Sequence, residues 1–175
     1  MNDNDTATVP DGEPAVKRDD FGLETLDDEI RVDGLCRDIL HRFYLQLQEE
    51  GMTPEQATLL ANSADYYVRD FVVDRMRCNL FEKRPGIVRR FAGNWYIVST
   101  LEPDIAQLSG HLEGIRAFYR FLRSRDIISE EFLKEIELEC DDREFYAGRI
   151  TSFWEITGDG YGVWERECSL KEDAA

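Results

Sequence analysis

Hydrophobic positions recur at steps of three and four along most of this chain, and alternating strand patterns are scarce, which predicts an all-α protein. The clearest run is Pro103–Arg125. Ile105, Leu108, Leu112, Ile115, Tyr119 and Leu122 fall on one side of a helix of about six turns. Phe118 and Phe121 widen the apolar stripe beyond a coiled-coil seam, so this helix belongs inside a globular bundle. Another side carries Arg116, Arg120 and Arg123, followed by Arg125.

The same rhythm predicts five further helices. The first runs from Leu26 to Glu50, with Val32, Leu35, Ile39, Phe43 and Leu47 inward, and Gly51 ends it in the left-handed conformation that helix C-termini favour. Thr53-Pro54-Glu55-Gln56 then offers a capping hydroxyl, a proline at the first helical position and a reciprocal Gln56. From there Ala57, Leu60, Ala61, Ala64, Val68, Phe71, Val72 and Met76 trace one face to about Leu80, and the small residues near its start predict a close helix approach. A third helix spans Gly86 to Thr100, with Val88, Phe91, Trp95 and Val98 inward and Gly93 as its weak point. After the central helix, Ser129 caps a helix to about Glu139, and Asp141 caps one from Arg143 to Glu155. Thr157–Gly162 reads as a flexible turn, with Val163 and Trp164 packing back.

These elements make a single bundle of about six helices over residues 23–168. Residues 1–22 hold almost nothing to bury and read as a disordered acidic tail, and residues 169–175 as a frayed end. Such a tail is either solvated or folds back on basic segments as an internal competitor.

At 175 residues and 42% hydrophobic, the chain has material for one core. It has no run of about 18 apolar residues, and its N-terminus lacks the basic start and apolar centre of a secretory signal. Four dispersed cysteines with no CxxC pair then fit reduced core thiols in a cytoplasmic protein.

A net charge of −16 argues against nucleic acid until its distribution is read. Residues 1–74 carry 6 Lys+Arg and 18 Asp+Glu, or −12; residues 75–125 carry 10 and 4, or +6; residues 126–175 carry 5 and 15, or −10. The basic middle third holds Arg75, Arg77, Lys83, Arg84, Arg89, Arg90, Arg116, Arg120, Arg123 and Arg125. Arginine forks match phosphate and carboxylate, so on neighbouring helices these side chains would form one anion-binding face for nucleic acid or an acidic protein. The bland alternative is that acidic segments neutralise them in surface ion pairs.

Other chemistry finds no pattern. Cys36, His41 and His111 lack the close pairing of zinc ligands, and Glu135–Asp142 does not match a calcium loop. No G-x-S-x-G occurs, and the glycines at 158, 160 and 162 lack the strand and helix of a phosphate loop. No catalytic residue, metal or cofactor is therefore assigned.

The segments FYLQLQEEGMTPEQATLLANSADYYVRDFV and HLEGIRAFYRFLRSRDIISEEFLKEI resemble the SAM-like core-binding domain of tyrosine recombinases and phage integrases. The resemblance implies a DNA-clamping helical domain, with Arg116, Arg120 and Arg123 as backbone contacts. It covers a little over half the chain; the family's catalytic domain has no counterpart in the roughly forty residues after Ile136, and the net charge departs from the family's balance. The leading expectation is a non-catalytic binding module with an arginine face for an anionic partner. The other is a protein-interaction or regulatory module that self-associates through exposed aromatics, for which an uncovered apolar patch would speak.

Overall fold

The computed structural model describes residues 12–171, which are all-helical with no strand among them. Helix α1 is Leu26–Glu49. Helix α2 starts as Pro54–Asp65 and continues without a break through a π-helical stretch, Tyr66–Arg75. Helix α3 joins Ile87–Arg90, a π turn at Phe91–Trp95 and Tyr96–Ser99. Then come α4 (Ile105–Ser124), α5 (Glu130–Asp141), α6 (Arg143–Trp154) and a short α7 (Tyr161–Glu167).

The helix starts follow from local chemistry. Thr53 accepts a hydrogen bond from the Gln56 N–H, and the Gln56 side chain accepts one from the Thr53 N–H, each at 3.2 Å. Asp104 accepts from Ala106 and Gln107 at the start of α4, and Ser129 from Phe132 at the start of α5. Asp142, not Asp141, stands before α6.

The central helix is α4, as its pattern requires. Leu108, Leu112, Ile115, Phe118, Tyr119, Phe121 and Leu122 are all buried, and they join Phe43 of α1, Tyr67 and Phe71 of α2, Phe91 and Tyr96 of α3 and Phe132 of α5 in one continuous core. The close approach expected at the small residues of α2 is met by Gly114 of α4. A Cβ there would lie 2.5 Å from the Ser63 Cβ and 2.7 Å from the Leu60 carbonyl oxygen.

Two helices depart from the simple 3.6-residue stripe, and both do so at π turns. A π turn adds one residue per turn and rotates the inward face. In α2 it buries Tyr67 and Val68, then Phe71, Val72 and Val73. In α3 it buries Phe91 to Asn94 in sequence; Trp95 is half-buried against the core as expected, whereas Val98, also expected inward, is exposed. Helix α2 also stops before Leu80. Arg77 takes a left-handed φ of 56° and the Cys78 N–H returns to the Val72 carbonyl.

At the C-terminal end Trp164 packs back but Val163 is exposed, and α7 occupies residues expected to be irregular. Arg149, 2% exposed, holds this end together. Its Nε donates to the Gly93 carbonyl (2.9 Å), one terminal nitrogen bonds Glu167 (3.1 Å), and its guanidinium lies 3.8 Å from the centre of the Trp164 ring. Gly93 is needed here, since a Cβ would sit 2.8 Å from the Cys168 sulfur.

Of the expected acidic tail, residues 1–11 lie outside the described residues, while residues 12–22 run along the domain. Phe21 is buried edge-on against Phe81, the Pro14 carbonyl accepts from Arg42, and the Glu13 carboxylate pairs with Arg125 at 2.9 Å. Residues 172–175 also lie outside.

Candidate functional site

Eight of the ten cations of the middle third have a carboxylate at ion-pair distance. Most of them are engaged by carboxylates of neighbouring segments. Helices α4 and α5 run antiparallel, and their charges form a ladder: Arg116 pairs with Asp141, Arg120 with Glu137 (2.5 Å) and Arg123 with Glu130 (3.2 Å) and Asp126 (2.5 Å). Lys83 reaches Glu135 at 2.9 Å and Glu131 at 3.4 Å. Arg84 pairs with Glu82, and Arg77 with Glu29 of α1. Arg89 meets Asp142 at 3.5 Å and lies 3.8 Å from the centre of the Phe145 ring, and Arg125 takes Glu13 and Gln46. Among the described residues, only Arg75 and Arg90 of the ten lack a carboxylate at ion-pair distance.

The segregation of charge in the sequence is thus matched by contacts within the fold, where each exposed pair contributes about 0–1 kcal/mol. One acid of α5 is of a different kind. Glu139 is largely buried and accepts the Arg89 N–H at 3.2 Å; burial pushes its carboxyl up to about 7, with Glu135 adding to the rise.

An uncovered apolar surface lies elsewhere, between α2 and the first half of α4. It is a groove of about 710 Å³, lined by Met52, Gln56, Leu59 and Leu60 on one side and by Ala106, Gly110 and His111 on the other. Leu59 is 70% exposed although it lines the groove, so the groove is open to solvent. Its origin is the small residues of α4. One turn from the tight contact at Gly114, a Cβ at Gly110 would meet nothing within 4 Å.

His111 stands over the aromatic cluster of Tyr66, Tyr96 and Phe91, with ring centroids at 5.0, 5.6 and 6.2 Å, and burial lowers its pKa. Its neutral form therefore prevails near neutral pH. Glu113 is the one charged group of the lining, and it pairs with Arg143.

None of these groove residues belonged to the candidate set read from the sequence. The signal was present in two forms. Leu59 falls off the buried stripe of α2, and the segments 49–65 and 100–115 contain no lysine or arginine. Comparison with protein-family models, with curated proteins and with solved structures found no match, so the recombinase resemblance stands on its two quoted segments alone. Within the described residues no helix is long and apolar enough to cross a membrane.

Proposed function

We propose that this chain is a non-catalytic helical protein-interaction module, and that the α2–α4 groove receives an apolar segment of a partner. The observation that carries the reading is an open apolar groove of about 710 Å³ beside the buried core. Single exposed apolar residues are ordinary, whereas a contiguous concave patch with a few polar groups is the usual form of a binding site. The anion-binding reading is less well supported, because phosphates would have to displace carboxylates that already hold most of the arginines.

The test is a photo-crosslinking amino acid at position 59, with the same group at the equally exposed Leu138 on α5 as control. Gly110→Gln fills the groove, and Gly148→Gln adds the same side chain in open space on α6. A discrete adduct from position 59 that survives Gly148→Gln and is lost with Gly110→Gln is expected. No adduct, or one indifferent to Gly110→Gln, overturns the proposal.

A further inference from the structure

Resting on that reading, we infer that the occupant is a short amphipathic helix of another protein whose apolar face is flanked by lysine or arginine. The length comes from the lining. Gln56–Ser63 on α2 and Ala106–Glu113 on α4 each run about 10 Å at 1.5 Å per residue, which matches about two turns of a docked helix. Two helices with a trough of small residues between them are the usual receptor for an apolar helix face with anchors at i, i+3 or i+4, and i+7.

The charge of the segments that carry the lining selects the partner. Residues 49–65 on the α2 side carry Glu49, Glu50, Glu55 and Asp65, residues 100–115 on the α4 side carry Glu102, Asp104 and Glu113, and neither segment contains a lysine or arginine. Three of these carboxylates already have local roles: Asp65 holds Arg69, Asp104 caps α4 and Glu113 pairs with Arg143. Glu49, Glu55 and Glu102 are exposed and have no cation at ion-pair distance among the described residues. They lie within four residues in sequence of the lining residues Met52, Gln56 and Ala106, so the approach to the groove favours a basic flank and repels an acidic one. The overall charge of −16 adds long-range attraction of the same sign preference, and it disfavours a second copy of this chain as occupant.

The experiment is a display selection from a random library of sixteen-residue peptides on the full chain. Synthetic copies of the enriched sequences then have their affinity measured by fluorescence anisotropy at low and high salt. Enriched peptides should place apolar residues at helical spacing between Lys or Arg. They should bind more weakly as salt rises, lose about tenfold or more with Gly110→Gln and keep their affinity with Gly148→Gln. Enriched peptides that require the groove but are neutral or acidic would overturn the basic partner and leave the groove standing. Peptides that bind Gly110→Gln as well as the parent, or no enrichment at all, would overturn the groove itself.

Discussion

Two glycines one turn apart on α4 should respond to the same substitution with opposite sign. At Gly110 the space where a Cβ would go is empty, so Gly110→Ala gains only the difference in helix propensity, about 1 kcal/mol. At Gly114 the new methyl would lie 2.5 Å from the Ser63 Cβ and 2.7 Å from the Leu60 carbonyl oxygen. The serine carbon can move only with its backbone, and the carbonyl belongs to the helical ladder of α2. Forcing the two helices apart costs about 1–3 kcal/mol or more, as overpacking does elsewhere. After the propensity gain, Gly114→Ala should be less stable than the parent by up to about 2 kcal/mol or more. In a domain of this size each kcal/mol moves the midpoint by about 2–4 °C, so the two variants should melt several degrees apart. Urea unfolding with shared slopes would give the same order. Equal stability of the two variants would refute the close α2–α4 contact, and with it the account of why a groove opens beside it.

Other consequences are testable in the same way. The Glu139 carboxyl is held at about 7 against an ordinary 4.5, so stability should fall as pH rises from about 4.5 through 7. Glu139→Gln should then exceed the parent by up to about 3 kcal/mol at pH 8 and lose that advantage near pH 5, and a constant difference across the range would refute it. Arg149→Ala should cost about 2–4 kcal/mol, since it strips the Gly93 carbonyl and the Trp164 ring of their partner, and a near-neutral result would show that α7 is not anchored there. Replacing Arg116, Arg120 and Arg123 together by alanine should cost under about 3 kcal/mol, less at high salt. Duplex DNA should bind neither this variant nor the parent at physiological salt; saturable binding of the parent that the variant loses would restore the arginine face as the functional site.

The fold was legible where a pattern rested on local chemistry. The stripe of α4, the Thr53–Gln56 box and the serine cap at 129 are short-range devices, and each appears where its residues place it. The π turns of α2 and α3 were not legible. A 3.6-residue template assigns Val98 inward, and nothing local marks the extra residue that turns it out. Helix α7 depends on Arg149 beneath Trp164, a contact between segments that no periodicity reveals. The charge clustering was legible in the sequence, but which acids face Arg116, Arg120 and Arg123 was not. That is set by the antiparallel α4–α5 packing. The groove was the least visible element, because it is made by what Gly110 and Ala106 lack and by a leucine that sits off the buried stripe.

The central question is where a partner touches the chain. The direct measurement is the amide chemical-shift change of the labelled protein on titration with the tightest selected peptide. Shifts concentrated at Gln56, Leu59, Leu60, Ser63, Ala106 and Gly110 are the predicted result. Shifts centred on the Arg116–Arg125 stretch and α5, with the groove amides unmoved, would contradict it.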